Sequence, residues 1–194
     1  MSVFQQDLFN LTSVLIMNIL EYYYEKIIKH DLINKFLYTQ LNELPKLKKI
    51  ILNFGCKSFE IRNLSSSLLA LELITTKRGN LTTSRRANIL LKIRKGHPVG
   101  CSLILEKTYM YNFFFKLLTE VFPTLKDFKG ITGSKRSEKT SFSFTLKDLI
   151  AFEELGKHFY LFSNLPPLNI TLITNTKTQK ELFYLINSFK LPLE

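Results

Sequence analysis

Apolar residues recur along this chain with two spacings, one of three to four residues and one of two, and each spacing predicts a different kind of element. From about Leu11 to Tyr38, Leu, Ile and Tyr interleave with charged positions, which reads as one or two helices ended by Leu44-Pro45. Lys46 to Gly55, KLKKIILNFG, reads as a strand whose contiguous Ile50, Ile51 and Leu52 suggest burial on both faces. Ser65 to Thr76 is helical in character, with serines ahead of a leucine-rich run. Asn88–Arg94 and Gly100–Glu106 are strand candidates on either side of a turn at Lys95–Pro98, and so form a hairpin by position.

The clearest helix is Tyr109 to Phe122. Met110, Phe113, Phe114, Leu117, Leu118 and Val121 follow the i, i+3, i+4, i+7 rule and make one apolar stripe, stopped by Pro123. At that spacing the aromatics are core rather than a base-stacking platform. Lys129 to Thr140 is a polar loop, Ser141–Leu146 alternates as a strand, and Asn169–Asn175 is another. Thr178-Gln179-Lys180-Glu181 is a capping box, in which hydroxyl and carboxylate satisfy amides at a helix start. Leu182, Leu185, Ile186 and Phe189 then form the buried face of a final helix ending near Pro192. Antiparallel-style strands with separate helices, and neither repeat nor linker, imply an α+β fold in a single domain spanning 1–194.

Charge changes the picture. The chain has 194 residues, 27 Lys+Arg against 16 Asp+Glu, and a formal net charge of +11. From Thr140 onward basic and acidic residues balance at five each, so residues 1–139 carry the whole excess. Lys77 to Lys95 alone holds seven basic side chains and no acidic one. Such asymmetry favours a polyanionic partner, because cations on a strand-friendly segment neutralise phosphates and release their counterions. An anionic membrane surface is the alternative: a peripheral protein laying the same basic face on lipid. That reading needs an amphipathic helix with cations flanking its apolar face, whereas these cations cluster in a strand–turn–strand segment.

Catalytic chemistry has little to stand on. There is no GxSxG, P-loop, HExxH or GxGxxG pattern, which also argues against an enzyme of RNA metabolism. His30, His97 and His158 are scattered, and His97 and Cys101 straddle Pro98 and Gly100 without paired ligands nearby, so neither metal nor cofactor is expected. Glu153-Glu154 are adjacent and diverge from one element, which suits a surface better than an acid/base pair. Cys56 and Cys101 lack paired spacing, which suits a reducing compartment. The apolar run Leu11–Leu20 is far short of the ~20 residues that span a bilayer, and no import signal is visible in Met1–Leu20.

Four ordered blocks resemble the universal large-subunit ribosomal protein five family, the 5S rRNA-binding proteins of bacteria and organelles. LPKLKKIILNFG (Leu44–Gly55) looks like the family's first strand. TTSRRANILLKIRKGHPVGC (Thr82–Cys101) is similar to its most diagnostic block, with Lys-Ile-Arg, Gly, Pro and Gly-Cys in the same spacing. FFFKLLTEVFPTLKDFKGI (Phe113–Ile131) resembles a helix followed by Pro and an Asp-Phe-x-Gly run, and NITLITNTKT (Asn169–Thr178) the closing strand and helix start. Met1–Leu20, an N-terminal extension, and Gly156–Pro167 match poorly.

The resemblance implies helices packed on a curved, largely antiparallel sheet in the central protuberance of the large subunit. Its partners would be 5S and large-subunit rRNA, P-site tRNA, neighbouring large-subunit proteins and a small-subunit head protein across the intersubunit bridge, with no membrane. Asn53 matches a strand asparagine that hydrogen-bonds 5S rRNA in relatives, and Lys77, Lys92, Arg94, Lys95 and His97 join it as expected rRNA contacts. Arg78–Arg86 takes the position of the tRNA-facing loop, with Arg78, Thr82, Arg85 and Arg86 as its contact residues. The chain departs from the family at four positions. Lys77 stands near the family's Gln, Leu90 replaces a Gly, Ile104 a polar Thr and Glu106 a basic residue. The last two remove a hydrogen-bonding group and a cation from the usual 5S surface. This divergence, with a composition like that of an AT-rich genome, fits an organelle-encoded protein, mitochondrial before plastid.

Overall fold

Strand β1 (Leu47–Gly55) shows how the chain sorts its residues. Ile50, Leu52 and Phe54 are fully buried, while Ile51 and Asn53 between them are only half-covered, because successive strand side chains point to opposite faces. The computed structural model describes residues 19–38, 40–56, 61–90, 93–126, 128–131 and 138–193. Nearly all of the N-terminal extension, about half of the Lys129–Thr140 loop, and Lys92 lie outside the described residues.

Helix α1 occupies residues 19–36, π-helical over Tyr24–Ile28 and α-helical over Lys29–Phe36. After β1 come α2 (Ile61–Thr75), β2 (Asn80–Thr83) and β3 (Pro98–Glu106). Helix α3 covers residues 107–124 with a π turn at Leu117–Val121. Then follow β4 (Ser141–Leu146), the short α4 (Glu153–Gly156) and α5 (Phe159–Phe162), β5 (Leu168–Thr174) and α6 (Gln179–Ser188). The five strands form one open sheet in the order β2-β3-β1-β5-β4, antiparallel throughout.

The helices cover one face of this sheet and fill a single core. The expected stripe on α3 is buried at Met110, Phe113, Phe114, Leu117 and Val121, and Phe114 meets Phe189 edge-on at 5.5 Å. Tyr24 of α1 stacks on Phe189 at 6.1 Å and donates its hydroxyl to the Pro45 carbonyl at 2.8 Å. The capping box forms as expected: the Thr178 hydroxyl accepts the Glu181 amide at 3.3 Å, and the Glu181 carboxylate accepts the Thr178 and Lys177 amides.

Two expectations are corrected. The Ile50-Ile51-Leu52 run belongs to a strand covered on one face only, because an antiparallel sheet needs no helices on its second face. The partner of β3 is β2, not Asn88–Arg94. Asn88 instead exchanges both backbone hydrogen bonds with Ile93, and its side-chain oxygen accepts the Leu90 amide at 3.1 Å. An asparagine that satisfies the backbone two residues on favours a local turn over a ladder.

Candidate nucleic-acid interface

The uncovered face of the sheet is ordered by register. Asn53 pairs with Ser102 on one side and Asn169 on the other; beyond them stand Asn80 and Thr145. One residue from each strand thus makes a row of uncharged hydrogen-bonding side chains across the whole sheet. Thr145 donates to the Asn169 side-chain oxygen at 2.8 Å, while no side-chain hydrogen bond to a described residue engages Asn53. Such amides and hydroxyls both donate and accept, which suits ribose hydroxyls and base edges as well as phosphates.

On the side of this row nearer the β2–β3 loop, Thr82, Gly100 and Gly55 lie side by side. A Cβ on Gly100 would come within 2.4 Å of the Phe54 carbonyl oxygen, so only glycine lets β1 and β3 approach there. On the far side Ile104, Ile51 and Thr171 form the next row, and Glu106 then stands directly opposite Lys49. That part of the face is partly apolar, and its cation sits beside an acid.

Between β2 and β3 the chain makes a closed loop over Ser84–His97. The Ser84 amide donates to the His97 carbonyl at 2.8 Å, the Gly96 amide to the Ser84 carbonyl at 2.9 Å, and the Ser84 hydroxyl to the Arg86 carbonyl at 2.5 Å. Gly96 turns the chain at a φ of 88°, in the region where glycine has no steric penalty. Arg85, Arg86, Arg94 and Lys95 are exposed around this loop, His97 is half-buried at its foot, and Ile93 is buried within it. At the tip Ile89 and Leu90 are 92% and 94% exposed, so the cationic loop ends in an apolar point.

The expected site residues therefore divide. Arg85 and Arg86 do sit on the loop, but Arg78–Arg86 is not one loop. Thr82 belongs to β2 and faces the open side of the sheet, and Arg78 precedes the far end of β2, 3.8 Å from Glu72. The run NLTT is β-friendly and pairs with β3 despite its flanking arginines. Lys77 reaches across the end of β2 to donate to the Ile104 carbonyl at 3.1 Å, with Tyr109 5.8 Å from its ammonium. It thus satisfies an edge carbonyl of β3 beyond the last residue paired with β2. Lys92 lies outside the described residues. Reading the sequence missed Asn80, Ser102, Thr145 and Asn169; the alternation of Asn169 and Thr171 with Ile170 and Leu172 was the available signal.

The groups weighed for chemistry are used structurally. Glu153 pairs with Lys157 at 2.8 Å and Glu154 with Lys116, so the two carboxylates do not act on a common point. The Cys101 thiol lies 3.6 Å from the Leu64 carbonyl, and burial pushes it up to about 11, far from a thiolate nucleophile. Among the described residues no group of three or more His, Cys, Asp or Glu side chains is arranged to hold a metal, and no helix is long and apolar enough to cross a membrane.

Comparison with known proteins gives concordant matches. The family model for the C-terminus of the ribosomal uL5 proteins matches residues 98–193. The chain is similar to the large ribosomal subunit protein uL5m of Reclinomonas americana, 37% identical over 179 residues covering 91% of this chain and 98% of that protein. It is 33% identical over 180 residues to the large ribosomal subunit protein uL5 of Desulforapulum autotrophicum, covering 92% and 99%. With uL5 of Nitrosomonas europaea it shares 32% identity over 178 residues, covering 91% and 98%.

Proposed function

Because the chain belongs to the uL5 family of large-subunit ribosomal proteins, we propose that its open sheet face binds 5S rRNA and its Ser84–His97 loop contacts P-site tRNA. The chain is a structural constituent of the large ribosomal subunit and not an enzyme. The observation that carries the finer reading is the row Asn80–Ser102–Asn53–Asn169–Thr145, which presents donors and acceptors from all five strands. Asn53, at its centre, is the residue that matches the family's RNA-bonding asparagine.

The contact would run from this row toward the loop, since Ile104, Ile51 and the Lys49–Glu106 position offer RNA little on the other side. Arg94 and Lys95 neutralise phosphates beside it, Lys77 and His97 hold the local framework, and Arg85 and Arg86 serve the tRNA side. A mitochondrial ribosome is the proposed address, supported by the match to uL5m and by the divergence from the bacterial pattern. Neighbouring large-subunit proteins and a small-subunit head protein complete the proposed set of partners.

Crosslinking in intact ribosomes tests these assignments. A photoreactive residue at position 53 should join 5S rRNA, and one at position 86 should join tRNA. Crosslinks from position 53 to large-subunit rRNA alone would remove the 5S assignment. A loop that never joins tRNA would remove the other.

A further inference from the structure

The two edges of the sheet are finished differently. At one edge β2 has four residues, a register shift between Thr82 and Thr83, and arginines on both flanks. Short length, irregularity and charge are the devices by which proteins keep an edge from pairing with another chain. At the other edge β4 is six residues long, SFSFTL, without charge, proline or register shift.

The Thr174 amide donates to the Thr140 carbonyl at 2.9 Å, which fixes the phase of the β4–β5 ladder. Hydrogen-bonded pairs alternate along an antiparallel ladder, so Phe142, Phe144 and Leu146 bond to β5 and the amides and carbonyls of Ser141, Ser143 and Thr145 point outward. Among the described residues, no backbone hydrogen bond outside the ladder ends on these three. The Ser143 and Thr145 hydroxyls are turned inward, to Thr171 and Asn169 at 3.0 and 2.8 Å, and do not shield the edge. On the helix side Phe183 is 41% exposed and meets Phe142 edge-on at 6.2 Å, which extends an apolar shelf beyond the strand.

We infer that β4 is a docking edge for an extended segment of another protein, which adds a sixth strand to the sheet. Only a second main chain matches this row of outward amides and carbonyls, and an uncharged edge gives RNA no phosphate contact. Such a segment would place apolar residues toward Phe183 at alternate positions and polar ones toward the hydroxyls of β4. It would be neutral or acidic, because a chain of net charge +11 repels cationic partners, its own copy included.

Amide exchange, read residue by residue for the free chain and for the chain within assembled large subunits, tests this directly. The Ser143 and Thr145 amides should slow at least tenfold on assembly, and unchanged rates would overturn the proposal. Carbodiimide coupling from Lys139 and Lys147 then identifies what lies alongside. Coupling to an extended segment of another protein supports the proposal; coupling to a second copy of this chain, or photocrosslinks from β4 to nucleotides alone, overturns it. Ser143→Pro removes one outward amide without touching the inward ladder, so it should keep the free chain's thermal midpoint and lower the coupling yield at least tenfold. An unchanged yield counts against the proposal, and Ser141→Pro serves if Ser143→Pro does not fold. Recovery of the chain in large subunits is scored separately, so a failure of the RNA contacts proposed above is told apart from a failure of this edge.

Discussion

Neighbouring residues of β1 serve opposite faces of the sheet. Ile50, Leu52 and Phe54 are completely buried beneath the helices, whereas Ile51 and Asn53 look out from the open face. The buried set holds the fold together, and the outward set is free of packing and available for recognition. Helix-side positions should therefore answer in stability, and open-face and loop positions in RNA binding with stability unchanged.

The largest effect is expected on the helix side. Leu52→Ala should cost about 2–5 kcal/mol, because the loss of buried methyl groups adds to the cavity left behind. Chemical denaturation measures it. A cost below about 1 kcal/mol would mean that β1 is not the central buried strand.

Alkaline pH probes the same side. Burial, then the nearby Glu25 carboxylate, pushes the Tyr24 phenol up to about 12, and burial, then Glu21, does the same for Tyr111. Folding holds these protons more tightly than the unfolded chain, whose phenols titrate near 10. The stability they contribute is thus complete below pH 10 and lost as pH rises from 10 to about 12. Denaturation midpoints measured from pH 9 to 12 should fall across that window, and less so for Tyr24→Phe. A flat profile would show that the two phenols titrate normally.

On the recognition side the effects should leave stability alone. Arg85→Ala with Arg86→Ala should reduce the salt dependence of tRNA binding by about two units of slope, since each phosphate contact contributes ~0.9. A filter-binding series over salt concentration reads this slope; if it stays put, neither arginine touches a phosphate. The smallest effect is expected for Asn53→Ala. It should change stability by less than about 0.5 kcal/mol and weaken 5S rRNA binding by about 1 kcal/mol, roughly fivefold, for one lost hydrogen bond. Equal loss of stability and binding would place Asn53 among the structural residues and break the division between faces.

Several features were legible because they are local. The capping box at Thr178 and Glu181, the alternation of Ser141–Leu146 and the stripe on α3 each lie within one element, and the structure reproduces all three. The strand Asn80–Thr83 was hidden because four residues give too short an alternation to count, while the turn at Asn88 lay inside a run that looked extended. Helix ends shifted as well: α2 begins at Ile61, ahead of the serines that suggested its start. The grouping of Arg78–Arg86 into one loop failed for the same reason as β2, since a short strand divides it.

The sequence by itself determined the α+β class, the basic charge confined to residues 1–139 and, through four ordered blocks, the family. These depend on periodicity and on residue identity in chain order. Only the tertiary structure decided which outward residues stand together. Asn53 meets Ser102 and Asn169 because antiparallel pairing fixes a register between segments far apart in the chain, and a slip of one residue would turn each of them into the core. The exposed edge at β4 was likewise settled by strand order, which no local pattern encodes.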